Sequence, residues 1–137
     1  MNILLDAMGG DNAPDANIKG ALKAINQIQA DITLIGKEEV IRQKIKEFTG
    51  KEMEEVSPRF KIKNATETIE MEDQPTMAIK HKKDSSMVVG FKMLKEGEGD
   101  VFISAGNSGA LLAGATLLVG RIKGIDRPAL AGILPAY

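Results

Sequence analysis

Asn2-Ile3-Leu4-Leu5-Asp6, followed by Ala7-Met8-Gly9-Gly10-Asp11-Asn12-Ala13-Pro14, is the stretch that decides the architecture. A short apolar run that breaks at paired glycines reads as a buried strand. Asp11-Asn12 then offers a cap, and Pro14 suits a first helical turn. Beyond it Ile18, Ala21, Leu22, Ile25 and Ile28 recur at three- and four-residue spacing, the apolar face of a helix. A buried strand, a glycine turn and an amphipathic helix form the opening unit of a parallel α/β sheet.

The same alternation continues along the chain. Ile32-Thr33-Leu34-Ile35-Gly36 is a second strand, and Val40, Ile41, Ile45 and Phe48 mark a second helix closing near Gly50. The charged stretch Lys51–Arg59, with Ser57-Pro58, reads as a surface loop. Phe60-Lys61-Ile62-Lys63-Asn64 alternates apolar and polar residues as a more peripheral third strand. Gln74-Pro75 opens a short helix running into Lys80-His81-Lys82-Lys83, and Asp84-Ser85 caps another that carries Met87, Phe91 and Leu94 on one face. Val101-Phe102-Ile103-Ser104 is a fourth strand. Asn107 to Val119 is a helix with almost no polar face, expected to be buried on most sides against a sheet and another domain or subunit. Leu130-Ala131-Gly132-Ile133-Leu134 reads as a fifth strand with nothing after it to cover it, so the chain is expected to be completed by further polypeptide. The fold class expected is α/β, a three-layer α/β/α arrangement on a mainly parallel sheet with right-handed crossovers, residues 1–137 forming one unit.

Composition narrows the chemistry. The chain has 137 residues, 43% hydrophobic and 27% charged, enough for one core. Eighteen Lys and Arg against nineteen Asp and Glu give a net charge of −1, which disfavours nucleic acid as the main partner. With no cysteine and one histidine, His81, the chain has no disulfide, thiolate metal site, cysteine nucleophile or multi-histidine metal site. No metal or cofactor is expected. The start lacks a secretory signal, and Ala110–Gly120 is far shorter than the ~20 residues that span a bilayer. A soluble, cytoplasmic protein is expected.

In open parallel sheets ligands bind beyond the carboxyl ends of the strands. Two glycine-rich turns lie there. Ser104-Ala105-Gly106-Asn107-Ser108-Gly109 leads into a helix, where free amides and the positive dipole end favour an anion such as phosphate. Ser104, Asn107 and Ser108 add side-chain donors, while Gly106 and Gly109 permit close approach. Equally, Asn107 or Ser108 could do no more than cap the helix. The turn is neither a Walker A sequence nor a dinucleotide fingerprint. The second turn offers Asp6, Gly9, Gly10 and Asp11 as a wall of the substrate cleft, with Asp6 as a base or orienting group and Asp11 more simply a cap. Lys80, Lys82 and Lys83 form a basic cluster that suits either a solvated helix end or an acidic partner. The acidic run Glu67, Glu70, Glu72 and Asp73 could pair with it.

These motifs resemble the PlsX family, bacterial acyl-[acyl carrier protein]:phosphate acyltransferases. The resemblance rests on Asp6–Pro14, Ile69–Pro75 with Lys82–Met87, Ser104–Ala110, and Gly120-Arg121-Ile122 with Gly124–Ala129, in the family's order over nearly the whole chain. Asn12 stands where many relatives carry His, and Ser108 where Thr is common. The resemblance implies a fold like that of isopropylmalate dehydrogenases and phosphotransacetylases, a homodimer, peripheral membrane association, and a length more than twice this chain's. It implies attack of inorganic phosphate on acyl-acyl carrier protein to give acyl phosphate for phospholipid synthesis. Lacking Cys, the chain suits direct displacement rather than its own acyl-enzyme. Phosphate would meet Ser104, Gly106, Asn107, Ser108 and Gly109, Asp6 and Asn107 would be the catalytic candidates, and Lys80, Lys82 and Lys83 would meet the carrier protein. A phosphotransacetylase-like enzyme using acyl-coenzyme A and a non-catalytic anion-binding or scaffolding module are the alternatives.

Overall fold

A computed structural model describes residues 1–136. Four parallel strands, β1 (Asn2–Asp6), β2 (Asp31–Gly36), β3 (Phe60–Asn64) and β4 (Val101–Ile103), form one sheet in the order β3-β2-β1-β4. The register pairs Leu5 with Leu34 on one side and with Ile103 on the other. β2 is buried from Ile32 to Gly36, because it has strands on both sides and helices on both faces.

Period-two alternation sends β-strand side chains to opposite layers. Ile32 and Leu34 pack on one face against Ile18, Ala21 and Ile25 from and just after α1 (Asp15–Ala24), and against Ile41 and Ile45 of α2 (Glu38–Thr49). On the opposite face Leu4 and Ile35 meet Val89 and Met93 of α5 (Ser86–Lys95). A further cluster joins Ala78 and Ile79 of α4 (Pro75–His81), Met87, Val88 and Phe91 of α5, and Ala110 of α6 (Ser108–Gly114). Phe91 and Phe102 meet edge to face, centroids 5.0 Å apart. The result is a three-layer α/β/α arrangement.

Several expectations are corrected. Leu130–Leu134 is not a strand: Ile133 is 96% exposed, and no strand among the described residues offers the backbone partners that a strand requires. The Asn107–Val119 helix is α-helical only to Gly114 and turns π-helical over Ala115–Val119. Asn107, Ala110 and Gly114 are buried along it, and the rest of its surface, the part expected to meet another domain or subunit, is at least partly open within the described residues. The Lys51–Arg59 loop contains a short helix, α3 (Met53–Val56), whose Met53 fills the α1/α2 core. Arg59 is not a free surface charge. It donates to the carbonyls of Ile28 (2.6 Å) and Ala30 (3.0 Å), and also to that of Ile25, closing the chain end that follows α1. Neither Asp11 nor Asn12 caps α1: Pro14 occupies the N-cap position and no side chain caps it.

Candidate functional site

The strand order locates the site. β1 leads to β2 and β3 on one side through helices on one face, then the chain crosses the other face to β4 on β1's far side. The crossover direction reverses between β1 and β4, the kind of switch point beyond whose carboxyl ends open α/β sheets place their ligand crevice. The turns after those two strands are Asp6–Asp11 and Ser104–Gly109, so the two glycine turns read from the sequence are brought together.

They meet closely. The Asp6 carboxylate, 1% exposed, accepts from the Ser104 hydroxyl at 2.8 Å and from the amides of Met8 and Gly9 at 3.1 and 3.0 Å. No Lys, Arg or His pairs with it among the described residues. A Cβ on Gly9 would stand 2.5 Å from Asp6 Oδ2 and 3.1 Å from Ser104 Oγ, so only glycine fits between the turns. Gly10 has φ +111° and lies against the Ala105 carbonyl, which again requires glycine. Asn17 of α1 completes the first turn. Its side-chain amide donates to the carbonyls of Asp6 (3.1 Å), Ala7 (3.2 Å) and Gly9 (2.8 Å). Sequence reasoning missed Asn17. Its signal was a polar residue in the first helical turn facing a glycine turn that would otherwise leave its carbonyls unpaired.

The second turn spends its side chains internally. Ser104 Oγ, besides donating to Asp6, accepts from the Gly106 amide at 3.1 Å. Asn107, 7% exposed, caps α6 by accepting from the Ala110 amide at 3.0 Å. Its Nδ2 donates to the carbonyls of Glu70 (3.2 Å), Met71 (3.2 Å) and Asp73 (3.0 Å). Asn107 is therefore both a cap and a tether for the acidic segment before α4. What the turn keeps free is backbone: the Ser108 and Gly109 amides, in the first turn of α6, meet no acceptor among the described residues. Ser108 itself is exposed.

Asp11 is exposed and lines a polar cleft of about 400 Å³ beside Gly10, Lys37, Glu70 and Glu72. Lys37 is the one basic residue on that wall. Of the predicted basic cluster, Lys82 is set apart: its ammonium donates to the Thr68 carbonyl at 2.8 Å and to Asp73 at 2.5 Å. That pair holds the Asp73 carboxyl below the usual carboxylate range, aided by the Glu70 amide. Lys80 and Lys83 stay exposed and take part in no ion pair among the described residues. No group of metal-binding side chains occurs among the described residues, and no helix there is long and apolar enough to cross a membrane.

The fatty acid synthesis protein family model matches residues 1–137. The chain belongs to that family. It is 56% identical over 136 residues to the phosphate acyltransferase of Acetivibrio thermocellus, covering 98% of this chain and 39% of that protein. It is 54% identical to the phosphate acyltransferase of Thermoanaerobacter pseudethanolicus and 50% identical to that of Clostridioides difficile, covering 98% of this chain and 38% of each. The chain thus spans about two-fifths of the length of these family members.

Proposed function

We propose that this chain is the phosphate-binding portion of an acyl-[acyl carrier protein]:phosphate acyltransferase that makes acyl phosphate for phospholipid synthesis. One observation carries the reading: relatives 50–56% identical over 98% of the chain are named phosphate acyltransferases. The crevice between β1 and β4 supports it. The open Ser108 and Gly109 amides would receive phosphate at the start of α6, Ser104 and Gly106 shaping the turn and Asn107 holding it in place. A phosphate oxygen then attacks the thioester carbonyl carbon. The carbon–sulfur bond breaks as the tetrahedral intermediate collapses, and the thiolate leaves with the electron pair and takes up a proton. Asp6 orients the turn through Ser104; its burial and three accepted hydrogen bonds suit positioning better than proton abstraction. Acyl carrier protein and inorganic phosphate are the substrates, no cofactor is required, and a cytoplasmic homodimer with peripheral membrane contact is the proposed state.

A chimera tests this. Residues 1–136 of this chain would replace the matching amino-terminal part of the Acetivibrio thermocellus relative, and phosphate-dependent thiol release from acyl-acyl carrier protein would be followed. Release that saturates with phosphate is expected. A folded chimera that releases no thiol, or releases it equally well without phosphate, defeats the proposal. Release from acyl-coenzyme A in preference to acyl-acyl carrier protein would instead favour the phosphotransacetylase-like alternative.

A further inference from the structure

The face of the molecule behind α4 carries a feature that the crevice does not use. α4, α5 and the π-helical segment Ala115–Val119 enclose a groove of about 610 Å³. Ile79 and Val88, 4% and 1% exposed, form its floor together with Leu118, and Leu117 stands on its lip with 57% of its surface exposed. Lys80, Lys83 and Lys92 also line it. All three are exposed, and none is in an ion pair among the described residues. The acidic group nearest in sequence, Asp84, is bound elsewhere: its carboxylate accepts from the Thr66 amide at 3.0 Å and from the Thr66 hydroxyl at 2.5 Å, and Lys92 attracts it only from a distance, as the least of the causes that lower its carboxyl.

Three ammonium groups outside any ion pair, set around an apolar slot, form a surface complementary to a protein segment with carboxylates ringing an apolar side chain. The place is also suitable. Pro75, at the start of α4, lies against Gly109 of the crevice, and Lys80 is five residues further along, about 8 Å at 1.5 Å per residue. Lys82, spent on Asp73 and Thr68, is not part of the surface, whereas Lys92, on a different helix from the basic run, is.

We infer that the Lys80–Lys83–Lys92 groove is the docking surface for the acidic carrier protein that presents the acyl thioester. This rests on the proposed function for the partner's identity, though not for the surface itself.

Titration calorimetry of apo-acyl carrier protein into the 137-residue chain tests it, with circular dichroism verifying the fold of each variant. The triple variant Lys80→Glu/Lys83→Glu/Lys92→Glu should weaken binding at least tenfold, and Leu117→Ser about threefold. Raising the salt should weaken the native chain and leave the triple variant nearly unchanged. Lys23→Glu/Lys51→Glu, on α1 and the α2–α3 connection, should stay within twofold. Should reversal disturb folding, Lys→Gln at the same three positions should still weaken binding severalfold. The inference is overturned by absence of carrier binding, by native affinity in the folded triple variant, or by equal losses in both charge-reversal sets. Binding to anionic vesicles that the triple variant loses while carrier affinity persists would assign the face to lipid, and also overturn it. Retained carrier binding by a chimera that releases no thiol would sink the proposed function and leave the docking surface standing.

Discussion

The turn after β1 and the turn after β4 look alike as sequence, each a short run with two glycines and polar residues, yet they differ in where their open amides lie: at Gly10 and Asp11 ahead of α1 in the first, and in the first turn of α6 in the second. In the first, Asp6 takes up the Met8 and Gly9 amides and Asn17 takes up three carbonyls, and the Gly10 and Asp11 amides meet no acceptor among the described residues. In the second, Ser104 takes up the Gly106 amide and Asn107 the Ala110 amide, and the Ser108 and Gly109 amides at the start of α6 are left open. A glycine-rich turn at a strand end is therefore no binding site by composition. What matters is whether the surrounding side chains have already consumed its amides.

The largest effect should come from cutting the link between the two turns. Asp6→Ala leaves the Ser104 hydroxyl and the Met8 and Gly9 amides without their acceptor in a buried place. Hydrogen bonds to a charged group contribute about 1.5–3 kcal/mol each and are not additive, so a loss of about 3–5 kcal/mol is expected. Urea unfolding measures it, and Asp6→Asn should fall between the two. A loss under about 1 kcal/mol would mean that the turns stand independently, and the contrast between them would lose its structural basis.

The four parallel strands and most helices were legible because their signals are local. Apolar runs ending at glycines and three- and four-residue spacings owe nothing to distant parts of the chain. Where Leu130–Leu134 was read as a strand, pattern alone misled, since an apolar run becomes a strand only beside a partner backbone. Met53 was hidden by its charged neighbours in a segment too short to show helical periodicity. In the site, the turns themselves could be read, but not the uses of their side chains. Ser104 meets Asp6 from 98 residues away, and Asn107 reaches Glu70, Met71 and Asp73 across a fold whose loop contacts no spacing rule supplies. The cap and phosphate alternatives at Asn107 could be separated only by seeing where its two polar atoms go. The basic run hid a similar split, Lys82 turned inward and Lys80 and Lys83 outward.

A smaller effect sharpens the contrast at the second turn. Asn107→Ala removes a cap, which costs about 0.5–2 kcal/mol, and also releases three carbonyls of the acidic segment. Asn107→Asp keeps an acceptor for the Ala110 amide and loses the donor, so the pair of variants separates cap from tether. Amide hydrogen exchange should speed up at Ala110 in the alanine variant alone, and around Asp73 in both. Equal protection around Asp73 in all three proteins would show that the segment holds itself without Asn107.

The smallest effect concerns the salt link that braces the same segment from its other end. The Lys82 ammonium, then the Glu70 amide, lowers the Asp73 carboxyl relative to its unfolded value. A depressed carboxyl stabilises the fold fully at pH above the unfolded value, about 3.9, and that contribution disappears as pH falls through the lower folded value. The Glu70 amide, which donates to Asp73, should therefore keep its chemical shift from neutral pH down to about 4 and move only below it. With Lys82→Met the movement should begin at higher pH, because the largest cause of the shift is gone. The same profile in both proteins would mean that Lys82 does not brace this segment and is as free as Lys80 and Lys83. The inward and outward lysines would then be one cluster, as the bare sequence presents them.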